Sequence, residues 1–244
     1  MNFDLENYRK AKNRITDLLK ATHDPYTEGF IDDGIICPEV YAKQSYRILC
    51  ILAESYGYDK SGVTDIQDQG KDDVLGLGKG VPTVQRFAIV LYLLQRSLER
   101  GSKVSHEEWN AFPRLLNLSP ENVQTLQDAL AKIAWVNVKK ASRPDVTKLN
   151  SAEVRDHALR NKEALREQID AIAPDLIFIC GEDAFRSIHA LGVLGPNLQL
   201  ARKWQIQAGL GSQKVLEITH PSYLEWAGYE NLYATFERIY DQIV

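Results

Sequence analysis

Short, almost wholly apolar runs alternate along the chain with longer stretches in which apolar residues recur at helical spacing. Four runs are of the first kind: Arg47-Ile-Leu-Cys-Ile-Leu-Ala53, Ile133-Ala-Trp-Val-Asn-Val138, Asp175-Leu-Ile-Phe-Ile-Cys180 and Lys214-Val-Leu-Glu-Ile-Thr219. Runs of this length with little polar alternation predict strands covered on both faces, as in a parallel sheet. The spacing predicts helices over 4–20, 83–100, 151–172, 182–191 and 229–243, with a further one opening at Ser119-Pro-Glu-Asn. Ser119 suits the N-cap of that helix and Pro120 its first turn. Residues 22–34, 57–82 and 192–213 carry little periodic signal and read as irregular. The 57–82 stretch is rich in Gly and Asp, and a loop that long is usually functional or mobile. Its Gly76-Leu-Gly-Lys-Gly80 lacks the spacing of a phosphate-binding loop.

Strands separated by helices predict a three-layer α/β/α fold around a central four-stranded parallel sheet. No repeat or linker divides the sequence. One domain is expected over 1–244, with residues 1–45 as an N-terminal helical extension packed on it.

Composition narrows the class. Of the 244 residues 44% are hydrophobic and 25% charged, the balance of an ordinary globular protein. No apolar run is long enough to span a bilayer, and MNFDLENYRK has no signal-peptide core. A cytoplasmic protein that does not enter membranes is expected. The net charge of −4 argues against a surface that is basic throughout, though not against a local basic patch. Cys37, Cys50 and Cys180 lack metal-ligand spacing, so reduced thiols and no metal are expected.

Open parallel sheets bind ligands beyond the carboxyl ends of their strands. Polar residues stand at the ends of all four predicted strands: Glu54-Ser55-Tyr56 after the first, Asn137 near the end of the second, Gly181-Glu182-Asp183 after the third and His220-Pro-Ser222-Tyr223 after the fourth. Lys139, Lys140 and Arg143 lie just past Asn137 and would form a basic rim able to hold phosphates. The Asn137 amide carries a donor and an acceptor, which matches the carbonyl and N–H of a pyrimidine edge. Tyr56 could stack on such a base.

These blocks resemble the uracil-DNA glycosylase superfamily. His220-Pro-Ser222 looks like its second motif, and the strand carrying Asn137 resembles the one whose asparagine reads the uracil edge. Ala53-Glu-Ser-Tyr-Gly57 stands at its first motif, and Ala173-Pro-Asp-Leu-Ile-Phe-Ile-Cys-Gly-Glu-Asp-Ala184 resembles its third strand and following helix. The resemblance covers about residues 33 to 240 in element order. It implies a glycosylase that flips an altered or foreign base out of double- or single-stranded DNA and hydrolyses the N-glycosidic bond. His220 would stabilise the departing base as a neutral imidazole. Glu54 or Ser55 would position water, and Asn137, Tyr56, Ser222 and Tyr223 would contact the base. Tyr223, Leu224 or Trp226 could form the wedge that this loop often carries. The motif-one carboxylate of the best-known members is replaced by Ser55, with Glu54 one residue earlier, and the usual proline by Tyr56. That departure keeps a second reading open, a module that binds nucleic acid or a base without cutting. The iron–sulfur cluster of some members needs four cysteines, so neither it nor any other cofactor is expected. A monomer is expected.

Overall fold

A computed structural model describes residues 3–22, 29–56, 63–65, 82–111, 119–143, 150–195, 198–199, 204–209, 212–221 and 229–244. Among these residues the helices are α1 (Leu5–Ala21), α2 (Pro38–Tyr41), α3 (Pro82–Arg100), α4 (His106–Ala111), α5 (Pro120–Ala131), α6 (Ser151–Arg160), α7 (Lys162–Ile172), α8 (Glu182–Leu191) and α9 (Tyr229–Ile243). The strands are β1 (Gly29–Asp32), β2 (Gly34–Ile35), β3 (Ile48–Leu52), β4 (Ser55–Tyr56), β5 (Val63–Asp65), β6 (Ile133–Asn137), β7 (Ala141–Arg143), β8 (Leu176–Cys180), β9 (Ile206–Ala208) and β10 (Lys214–Ile218).

The four apolar runs become β6, β3, β8 and β10, adjacent in that order and mutually parallel. The sheet is not strictly four-stranded and parallel, however. It is six-stranded and mixed, because β2 pairs antiparallel with β6 at one edge and β9 antiparallel with β10 at the other. β9 lies within a stretch read as irregular, and β2 begins at the last residue of another. Two or three residues are too few to show a period, and short edge strands are how sheets limit their exposed rims. A second sheet, ordered β4-β7-β1-β5, has no counterpart in the sequence reading. It draws β5 from the expected 57–82 loop and β7 from the expected basic rim; residues 57–62 and 66–81 lie outside the described residues.

Alternation along the buried strands explains the layers. Cys50, Trp135, Phe178 and Leu216 face one way and pack with Phe87 and Leu91 of α3, Leu130 of α5 and Phe236 of α9. Leu49, Val136, Ile177 and Val215 face the other way, against Val154 of α6, Leu165 and Ile169 of α7 and Ile188 of α8. Both faces are apolar because both are covered. The ring of Phe87 meets Trp135 and Phe178 edge-on, with centroids 5.8 and 6.2 Å apart.

Local chemistry sets the ends of the helices. Ser119 caps α5 by accepting the N–H of Asn122, as its sequence position implies. The expected 151–172 helix is broken at Asn161 into α6 and α7, and the Asn150 side chain caps its start.

The first 45 residues are more than a helical extension, since they also supply β1 and β2. α1 packs on α7, and the Tyr8 hydroxyl accepts the N–H of Ile35 at 2.9 Å inside the sheet edge. A Cβ on Gly34 would lie 2.7 Å from that hydroxyl oxygen, so only glycine allows the approach. Tyr8→Phe should leave the Ile35 N–H buried without its acceptor and cost about 1–3 kcal/mol in chemical denaturation. An unchanged midpoint would show that α1 does not support the sheet.

Candidate functional site

The order β6-β3-β8-β10 has a topological switch point. From β3 the chain goes outward to β6, then returns to β8 on the opposite side. Crevices beyond the carboxyl ends of such strands are where open α/β sheets bind ligands. Glu54 follows β3 and Gly181 follows β8, on the two sides of this point. Asn137 ends β6 and His220 follows β10. Asn137 and His220 therefore share one edge of the sheet, three strand spacings or about 14 Å apart along it.

His220 is half-buried beside the end of β8. A Cβ on Gly181 would lie 3.4 Å from the His220 Cβ, and Gly181 has φ +97°, so glycine suits this position on both counts. The Gly181 N–H donates to Ile218 O at 2.9 Å, which ties the end of β8 to the end of β10. The adjoining Pro221 carbonyl accepts from Arg86 Nη1 of α3 at 3.3 Å. Burial lowers the His220 pKa, because a charged imidazole loses its hydration there. The ring is thus neutral at neutral pH, with one N–H to donate.

Asn137 is buried and held by a carboxylate. Asp33, between β1 and β2, accepts its backbone N–H at 2.6 Å and its side-chain Nδ2 at 3.1 Å through one oxygen, Oδ2. The other oxygen, Oδ1, accepts from Lys140 Nζ and from Gln168 Nε2 at 3.1 Å. Lys140 Nζ also donates to Gln168 Oε1 at 3.0 Å. Burial lowers the Lys140 pKa, and the Asp33 charge opposes that shift.

Lys139 and Lys140 correct the expectation of a basic rim. Both are buried, at 0% and 2% exposure. Lys139 Nζ lies 3.5 Å from Glu54 and 3.1 Å from Glu153 of α6, and Lys140 is engaged as just described. Neither ammonium faces solvent, where a phosphate could reach it. The cause is the pairing of β7 with β1, together with Ile31 N donating to Lys140 O at 2.8 Å, which draws this segment under the second sheet. Glu54 is buried as well, against Lys139. The second sheet also sets the backbone of Ser55 against Ser142 and that of Tyr56 against Arg143. Ser222, Tyr223, Leu224 and Trp226 lie outside the described residues.

Asp33 and Gln168 were not among the sequence candidates. Gln168 had a legible signal: it is a polar residue on the Leu165–Ile169–Ile172 stripe of α7, facing the core. Asp33 had none, since Asp before Gly34 reads as a turn until β2 is placed on β6. Cys50 and Cys180 are buried free thiols whose pKa values burial raises, and Cys37 is a partly exposed free thiol. Among the described residues no three His, Cys, Asp or Glu side chains gather as a metal site. No described helix is long and apolar enough to cross a membrane.

The family model described as the uracil DNA glycosylase superfamily matches residues 109–243, more than half of the chain. No curated protein matches it.

The lowered His220 pKa has a thermodynamic consequence. An imidazole harder to protonate folded than unfolded contributes stability that is full above the ordinary value of about 6.5 and is lost as pH falls through the lower, folded value. His220→Gln should therefore reduce the loss of stability on acidification below about pH 6.5, measured as denaturation midpoints across pH. Parallel wild-type and variant curves would contradict the dry environment assigned to this ring.

Proposed function

The chain belongs to the uracil-DNA glycosylase superfamily, and from that premise we propose that it removes an altered or foreign base from DNA by hydrolysing the N-glycosidic bond. The observation carrying this reading is the placement of Asn137, Glu54 and His220 along one carboxyl edge of the sheet, astride its switch point. Such a reaction leaves negative charge on the departing base and positive charge on the sugar. A neutral, poorly hydrated imidazole aimed at a base oxygen donates a hydrogen bond that strengthens as that charge grows. The Asn137 amide supplies donor and acceptor to the base edge. Tyr56, Ser222 and Tyr223 would complete the pocket, and Arg143 remains the candidate for a phosphate contact. Glu54 and Ser55 follow β3, on the sugar side of the cleft in this arrangement, and would position water.

One observation favours the second reading, a module that binds a base without cutting it. The Glu54 carboxylate is buried beside the Lys139 ammonium. A carboxylate enclosed against a lysine in this way is turned into the fold and away from a water in the cleft.

The test is incubation with oligonucleotides carrying a panel of damaged and modified bases, followed by alkaline cleavage of abasic sites. At least one base should be released. His220→Ala should lower that rate about 100- to 1,000-fold, the usual cost of removing a donor to a developing anion, with DNA affinity nearly intact. Binding of one base in a His220-dependent manner without cleavage would favour the non-catalytic module. Neither binding nor cleavage at low salt would remove both readings.

A further inference from the structure

Asp33 belongs to none of the blocks that carry the family resemblance, yet it makes two hydrogen bonds to the residue proposed to read the base. Its Oδ2 receives both the backbone N–H and the side-chain Nδ2 of Asn137. An ionised carboxylate has lone pairs and no proton to give. The Asn137 amide can therefore meet it only with the NH2 end. The flipped amide would press its carbonyl oxygen against a carboxylate oxygen in a buried, weakly screened setting. Both Asp33 oxygens are already engaged as acceptors: Oδ1 receives the Lys140 ammonium and an N–H of Gln168, which also donates to the Asp33 carbonyl at 2.9 Å.

An amide held one way round offers its carbonyl and its remaining N–H in a fixed spatial order. A base edge with a carbonyl beside an N–H, as in uracil, fits one order. The corresponding edge of cytosine, an amino group beside a bare ring nitrogen, needs the reverse. An amide free to turn over would accept both. We propose that Asp33 is a positioning residue that fixes the Asn137 amide so that the site selects carbonyl/N–H base edges over amino/ring-nitrogen edges. The inference rests on the glycosylase reading above and adds to it a positioning residue outside the family's motifs.

The test uses full-length protein and oligonucleotides identical except for one central uracil or cytosine. Asp33→Asn keeps the shape of the side chain but can donate as well as accept, so the Asn137 amide can be held either way. Asp33→Asn/Lys140→Met also removes the ammonium that would lose its counter-charge, and it serves if the single variant does not fold. Two readouts are taken: the uracil-to-cytosine ratio in excision or affinity, and hydrogen exchange of the Asn137 side-chain amide by NMR. Wild type should prefer uracil, with slow exchange at that amide. The folded variant should lose on the order of tenfold or more of the preference, the size of one hydrogen bond, and exchange faster. Its affinity for an oligonucleotide lacking either base should not change. A folded variant with undiminished preference, or with unchanged exchange, overturns the role of Asp33 and leaves the glycosylase reading standing. A wild type that neither binds nor cuts either oligonucleotide, nor any in the wider panel, overturns both.

Discussion

The Asp33 carboxylate is buried, and a buried charge must be compensated where it lies. Its partners come from four places in the chain: Asn137 at the end of β6, Lys140 just beyond it, Gln168 of α7 and, through the Asp33 carbonyl, Lys12 of α1 at 3.2 Å. Its neighbour Asp32 holds the same Lys12 at 2.6 Å and Thr16 at 2.9 Å. The N-terminal segment, the end of β6 and α7 are thus joined at a point where hydrophobic packing alone would leave their relative positions loose. Lys139 makes the corresponding junction one residue earlier, between Glu54 after β3 and Glu153 in the first turn of α6. Removing one partner of such a buried pair typically costs about 3–5 kcal/mol. Two consecutive lysines therefore act as struts holding the carboxyl edge of the sheet.

This rigidity bears on the chemistry. Groups that act on a bound base must be held to within about 0.5 Å, which elements of regular structure supported by a surrounding layer achieve better than loops. Asn137 belongs to a central strand and is anchored through backbone and side chain alike. His220 lies two residues past another central strand, and hydrogen bonds at Gly181 and Pro221 fix the strand end and the residue beside it. The same burial that keeps its imidazole neutral also weakens competing water. The carboxyl edge of the sheet thus carries a firmly held amide and a neutral imidazole on one scaffold.

Much of this was legible in the sequence, for physical reasons. The central strands are buried on both faces, so their apolar runs are continuous. α3, α8 and α9 each bury one stripe, so their period shows. Ser119 and Pro120 mark the start of α5 because helix ends need caps. What escaped is what depends on tertiary placement. β2 and β9 are too short to have a pattern, and their sheet positions come from neighbours distant in sequence. Lys139 and Lys140 read as part of a basic rim because nothing local reveals that carboxylates at positions 33, 54 and 153 converge on them. Asn137 and His220 were singled out by their place at strand ends, and the structure sets both on the carboxyl edge of the sheet. The residue that holds Asn137 lies about a hundred positions away and was not.

The central claim is that a nucleic-acid base is handled at the carboxyl edge of this sheet. Hydrogen–deuterium exchange with and without a duplex carrying a stable abasic-site analogue tests it most directly. Protection is expected in the backbone at 53–56, 137–143 and 218–221, with none at the opposite edge around Arg47, Ile48, Asp175 and Leu176. Protection confined to that opposite edge, or to the outer helices, would contradict the account.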